Sequence, residues 1–403
     1  MDDILIINDF TIISAAALLV VAIVSALFNP FLRFRKPAEE TAVNEDATAD
    51  SSAEDGQAEA VPVSVILTPH DEAEALKESL PLLLDQDYPV DYQVIVIVEQ
   101  GYPDTEDVVK HIQNDLNKSD GHASLYMTYI PESSRYMSRK KLAMTLGVKA
   151  SRTEWVLLTE AYTRPSSRQW LRTMTRACDK DARMVIGYGG YSNEATSFKR
   201  FERLNMAYYL MREDSRGQAY RTLSHNLLLR KSDFMASDGF LGTLNLIRGE
   251  YDALVNKFST TDGTRLVTDS SAWMIDDAPT HKTWMNAHIF YIETRKWLQR
   301  NLSHRVWFNL DQTLLHLNFI CIIAAIIYAA LALNLIVGAA AVASLLLTII
   351  LRTVFGHKAA KAFGQHFPIL AIYPYELSLI WHNLGYIIRH RLANKLDFTT
   401  HKQ

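Results

Sequence analysis

Glu160 stands at the end of a short apolar run, in Trp155-Val-Leu-Leu-Thr-Glu-Ala-Tyr-Thr-Arg-Pro165. Four apolar residues bounded by polar ones predict a buried strand, and Pro165 is expected to stop strand pairing there and begin a turn or helix. A carboxylate at the carboxyl end of a strand lies where open α/β sheets bind their ligands. In that place it can hold a divalent cation, Mg²⁺ or Mn²⁺, on a diphosphate, with Tyr162 two residues on and facing the same side. A solvated strand end is the plain alternative. A second acidic pair, Glu250 and Asp252, opens Gly249-Glu-Tyr-Asp-Ala-Leu-Val-Asn256. Carboxylates in the first turn of a helix are favoured by its dipole alone, so this pair also has an ordinary reading.

The elements that must position these acids follow from hydrophobic periodicity. Strands are expected at Val61–Leu67, Tyr92–Val98, Leu125–Ile130 and Trp155–Glu160, and helices at Asp71–Leu84, Asp104–Leu116 and Lys140–Ala150. Strands alternating with helices at this spacing imply βαβ units, hence an α/β domain with a mostly parallel sheet flanked by helices. Further on, Met184–Tyr191 reads as a strand entering glycines and Ser197–Arg212 as a helix. Leu223–Arg230 reads as a strand, and His281–Leu298 as a helix rich in aromatic and basic residues.

The apolar content, 48% of 403 residues, is unevenly spread. Phe10 to Leu32 has no charged side chain and about 23 residues, enough to span a ~30 Å hydrocarbon core. Asp2, Asp3 and Asp9 precede it, while Arg33, Arg35 and Lys36 follow. The positive-inside rule then puts the N-terminus outside and the rest of the domain in the cytoplasm, with 1–36 as an anchor rather than a cleaved signal. Residues 37–60, rich in Ala, Glu, Asp and Ser, are expected to form a flexible acidic linker before a domain at 61–300. Thr313 to Leu351 is about 39 residues without a charge, about twice one span, with Asn334 and Gly338 marking the turn of a transmembrane hairpin. The 363–391 segment, interrupted by Pro368, Pro374 and Glu376, fits an interfacial or re-entrant helical segment, followed by a basic tail at 392–403. A net charge of −4 gives no footprint for nucleic acid, and Cys178 and Cys321 make no disulfide framework.

The order of these pieces resembles the membrane-bound family 2 glycosyltransferases, whose catalytic domain has the GT-A fold. Val63-Ser-Val-Ile-Leu-Thr-Pro-His-Asp-Glu72 is similar to the first strand and Asn-Glu pair of that family, with Asp71 in place of Asn. Asp85-Gln-Asp-Tyr-Pro89 resembles its Gln-Asp-Tyr-Pro segment. Val98-Glu-Gln-Gly-Tyr-Pro-Asp104 resembles the Asp-Asp-Gly-Ser-x-x-Asp region that holds base and ribose, with Glu99 and Asp104 at two of its acids. Ser138–Gly147 resembles the Gly-Lys-x-x-Ala-Leu stretch, making Lys140 and Lys141 the implied cations for the diphosphate, with Arg139 replacing the glycine. The Glu160-Ala-Tyr162 segment falls on the Asp-x-Asp motif. Gly249–Leu254 falls on Glu-Asp-x-Asp-Leu, which implies Glu250 as general base and Asp252 as the later acid. Trp284–Phe290 sits where processive members carry Gln-x-x-Arg-Trp and has lost that signature.

The resemblance implies an inverting hexosyltransferase acting in envelope polysaccharide synthesis at the cytoplasmic face of the inner membrane. It would use a nucleotide-sugar donor and a glycan or lipid-linked acceptor. The implied metal ligand is Glu160, and His70, His225 and Asn226 are expected to line the acceptor cleft. The second class is a catalytically silent relative that keeps the fold as a membrane-bound binding or assembly subunit. The loss of a carboxylate at Tyr162 favours the silent subunit. Charge-preserving Glu at 99, 160 and 250 favours the enzyme.

Overall fold

The computed structural model of the protein describes residues 8–34, 36, 60–116, 121–130 and 138–399. The acidic linker expected at 37–60 lies outside the described residues except for Ala60, and so do the last four residues of the basic tail. By contact density the chain divides into two compact units. One comprises Met1–Arg35, Thr196–Arg212 and Arg300–Ile388; the other comprises Lys36–Ala195, Glu213–Gln299 and Arg389–Gln403.

In chain order the elements begin with α1 (Asp9–Leu27), β1 (Val63–Leu67), α2 (Ala73–Leu84), β2 (Tyr92–Glu99) and α3 (Pro103–Leu116). Then come β3 (Ala123–Ile130), α4 (Arg139–Ala150), β4 (Trp155–Thr159), β5 (Thr163–Pro165) and α5 (Trp170–Thr175). They continue with β6 (Met184–Gly187), β7 (Gly189–Tyr191), α6 (Ser197–Asp214), β8 (Leu227–Arg230) and α7 (Lys231–Ala236). The rest are α8 (Glu250–Phe258), β9 (Thr264–Val267), β10 (Met274–Asp276), α9 (His281–Thr294), α10 (Leu302–Leu331), α11 (Leu335–Ala362) and α12 (Ile369–Leu392).

The α/β unit holds a seven-stranded sheet in the order β3-β2-β1-β4-β8-β6-β9. The first four strands are parallel, as the βαβ alternation predicts, whereas β8 runs antiparallel to both β4 and β6. Every residue of β1, β2 and β4 is buried, which is why these strands read as continuous apolar runs without alternation. Two cores result. One face packs Val65, Leu67, Val96 and Leu157 against Leu76 and Leu80 of α2, and the other packs Ile66, Ile95 and Leu158 against Met144 and Val148 of α4. Strand order reverses between β1 and β4, and the ends of these two strands frame a ligand crevice by general rule.

A three-stranded sheet, β5-β10-β7, lies beyond β4. Here the expectation for Pro165 is corrected, because Pro165 is itself the last residue of β5 and pairs with Met274. β5 is an edge strand, where a missing N–H is tolerated, and Pro165 ends pairing only after contributing to it. Gly249 takes φ +91° just before α8, and a Cβ there would lie 2.9 Å from Thr294 Cγ2. Glycine alone permits that entry angle. The end of the chain also joins this unit: Leu246 bridges Thr399, and the Ile247 N–H donates to the Phe398 carbonyl at 3.3 Å.

In the other unit, three helices among the described residues are long and apolar enough to cross a membrane: Asp9–Leu27, Arg305–Leu331 and Leu335–Ala362. Within segment 363–391 the chain forms one helix, α12, that starts directly after Pro368 and contains Pro374. Glu376, which breaks its apolar pattern, is buried and accepts from Arg352 Nε at 2.6 Å. Arg352 also reaches Asp311 at 2.8 Å and the Ser25 carbonyl at 3.0 Å, while Asn29 donates to Glu376 at 2.9 Å and Tyr209 to Asp311 at 2.9 Å. One cation thus serves two buried carboxylates. Arg352→Met leaves both without a charge partner and should cost ~3–5 kcal/mol of stability, the usual result of breaking a buried pair. Thermal unfolding of the detergent-solubilised chain measures this; an unchanged midpoint would show that the network carries no structural weight.

Candidate active site

The site is built where β1, β2 and β4 end. β4 delivers Glu160, fully buried, and the first turn of α4 delivers Lys140 to it, with Nζ 2.6 Å from Oε1. Lys140 stays charged: burial works against its ammonium, but Glu160, Glu250 and Glu72 together hold its pKa above the ordinary lysine value. Glu72, after β1, has its carboxyl pushed up by burial and then by the negative charge on Glu160. Glu250, at the start of α8, is buried, and the Ser138 hydroxyl that donates to the Ile247 carbonyl at 2.8 Å lies 3.4 Å from it. Tyr251 is also buried; burial and the charge of Glu160 keep its phenol protonated.

A second group adjoins these acids. His225 Nδ1 lies 3.0 Å from Asp276 Oδ2, and Asp276 also accepts from the Thr163 hydroxyl at 3.0 Å. The rings of Tyr162 and Tyr251 meet His225 edge-on, at 5.4 and 5.0 Å between centroids. On the β2 side Glu99 is clamped by Arg139 and by His70, whose Nδ1 is 2.5 Å from Oε2.

Sequence-expected residues divide accordingly. Glu160, Lys140, Glu250 and His225 come together, and Glu99 stands at the neighbouring strand end with His70. Asp104 is exposed in the first turn of α3 and enters none of these pairs. Asp252 turns to a buried anchor, accepting from the Thr222 N–H at 3.2 Å with Arg221 Nε at 3.6 Å; burial raises its carboxyl pKa. Lys141 faces the interior and donates to the Thr243 and Leu246 carbonyls at 2.5 and 2.8 Å. Asn226 is fully buried between the Trp170 indole N–H, 3.1 Å, and the Ala272 carbonyl, 2.8 Å, so it braces the fold and lines no cleft. Glu72, Arg139, Tyr251 and Asp276 belong to the site but were not among the expected site residues. Asp276 sits in β10, a three-residue strand too short for periodicity to reveal.

For a divalent cation, Glu160 offers a buried carboxylate whose Oε1 faces the Lys140 ammonium at 2.6 Å and on which the Tyr251 phenol also bears. A carboxylate so placed can turn an oxygen to a metal once one of these partners gives way. Among the described residues no group of three His, Cys, Asp or Glu could hold an ion alone. Glu160 therefore fits a cation that takes its remaining ligands from diphosphate and water, as Mg²⁺ commonly does.

No family model and no curated protein matches this chain. Solved structures do. The mannosyltransferase PcManGT from Pyrobaculum calidifontis, in complex with GDP-Man and Mn²⁺, matches 92% of this chain and 98% of its own, at 16% identity and a TM-score of 0.50. S. aureus TarS 1-349 in complex with UDP-GlcNAc covers 80% and 92% at 14% identity and a TM-score of 0.41. At these identities the likeness to PcManGT shows a shared fold.

Lys141 supplies the test of the loop before Glu250. Burial lowers its pKa from 10.5 to about 8, so the unfolded chain binds its proton over a range where the folded chain does not. Stability should therefore rise with pH between about 8 and 10.5, an increment absent from Lys141→Met. Parallel unfolding curves for the two proteins across that window would refute the assignment.

Proposed function

We propose that this protein is a membrane-anchored glycosyltransferase. It moves a hexosyl group from a nucleotide-sugar donor to a hydroxyl of a glycan or lipid-linked acceptor, with inversion, at the cytoplasmic membrane face. The observation that carries the reading is the Lys140–Glu160 pair at the strand-order switch, with Glu250 bearing on the same ammonium. The shared fold with a mannosyltransferase supports it.

The chemistry needs three provisions, and the chain has residues for each. Charge developing on the leaving diphosphate is met by Lys140 and Arg139, adjacent at the start of α4 and about one third and one half exposed on their side chains. A divalent cation held through Glu160, when bound with the donor, would neutralise part of that charge. Glu250, fixed by Gly249 and the first turn of α8, takes the acceptor proton as the acceptor oxygen bonds to the anomeric carbon and the diphosphate departs. His225, oriented by Asp276, lies where an acceptor hydroxyl can be steered between the two tyrosine rings. Glu99, held by Arg139 and His70, is the residue that would meet the base and ribose of the donor.

The membrane helices and the basic residues that follow α1 support anchoring with the catalytic unit in the cytoplasm. A silent binding subunit is the competing class, favoured by Tyr162 at the second acid of the segment. Glu250→Gln separates them. It should lower turnover ~10²–10⁴-fold while leaving UDP or GDP binding nearly intact. Equal losses of turnover and nucleotide affinity would make Glu250 a structural residue of the helix start. Nucleotide binding without sugar transfer in the parent protein would favour the silent subunit.

A further inference from the structure

Glu160 and Lys140 have a relation that the proposed reaction does not explain. Glu160 has no exposed surface, its Oε1 lies 2.6 Å from the Lys140 ammonium, and the Tyr251 phenol bears on the same carboxylate. Glu72 and Glu250 bear on the same ammonium. Three carboxyl groups thus bear on one lysine, a set that would also attract a divalent cation. Yet a cation approaching Glu160 finds its position already filled. The filler is movable: the lysine side chain is 32% exposed and its ammonium rides on a flexible four-carbon stem.

We infer that Lys140 is a resident counter-ion that occupies Glu160 in the nucleotide-free protein and keeps free divalent ions off it. It releases the carboxylate when a diphosphate arrives with its ion and accepts the ammonium onto its own oxygens. Lys140 exchanges one anionic contact for another, passing from carboxylate to phosphate, while the ion gives up a water ligand for the carboxylate. The exchange couples metal and nucleotide binding, so each tightens the other by the same factor. The handover rests on the nucleotide-sugar reading. The exclusion of free metal rests only on the residues of this chain.

Mn²⁺ titration of the full chain in detergent, followed by calorimetry and by the electron-spin signal of free Mn²⁺, tests both parts. Without nucleotide, the wild type should bind Mn²⁺ at least tenfold more weakly than Lys140→Met, and Lys140→Arg should exclude it as the wild type does. Adding Glu160→Gln to Lys140→Met should remove the gain. Should Lys140→Met fail to fold by circular dichroism, Lys140→Gln serves in its place. With UDP or GDP added, the wild type should gain at least tenfold in Mn²⁺ affinity. A folded Lys140→Met or Lys140→Gln protein that binds free Mn²⁺ no better than wild type overturns the inference and leaves the transferase reading standing. No binding of UDP or GDP by any of these proteins, with or without Mn²⁺, overturns the handover and the nucleotide reading together.

Discussion

The contact on which the site depends is one partly exposed ammonium held on a buried carboxylate, with Lys140 set 2.6 Å from Glu160 at the end of β4. Neither partner could be buried alone, because an uncompensated charge in a low-dielectric interior costs several kcal/mol. The pair therefore fixes the first turn of α4 against β4, and the rest of the crevice takes its positions from that join. Lys141, next along the helix, points about 100° away and enters the interior, where two carbonyls receive it. Adjacent lysines of the same type thus divide the labour, one facing the crevice and the other tying down the loop that leads to Glu250.

That division explains much of what could be read in advance and what could not. Three of the four parallel strands, β1, β2 and β4, were legible because burial on both faces leaves an unbroken apolar run. The acid at the end of β4 was legible because strand ends are where such sheets present chemistry. Lys140 and Lys141 were indistinguishable by type, and only the rotation of α4 against the sheet separates them. Asn226 looked like a cleft residue because it is polar beside a histidine, yet its amide completes the bonding of Trp170 and Ala272. β5, β9 and β10 are three or four residues long, below the length at which period-two alternation can be recognised. The antiparallel run of β8 follows from long-range pairing with β4 and β6, for which no local pattern exists.

In the helical unit the same principle acts through different residues. Glu376 interrupts an apolar segment and, read locally, argues against a buried helix. Its partner Arg352 lies in another helix that reads, locally, as ending its apolar run. Each is explained by the other, with Asp311, Ser25 and Asn29 completing the hydrogen bonds. A bidentate guanidinium suits two carboxylates from separate helices better than an ammonium would.

The strand-like bridge between Leu246 and Thr399, with Phe398 accepting from Ile247, closes the loop ahead of Glu250 with residues that follow α12. Synthesis proceeds from the N-terminus, so α10, α11 and α12 emerge from the ribosome before that bridge can form. The loop leading to Glu250 is consequently completed after the long apolar helices have been made. A chain cut before Phe398 would possess its sheet and its lysine–glutamate join but would lack the strand-like bridge that fastens the loop ahead of Glu250.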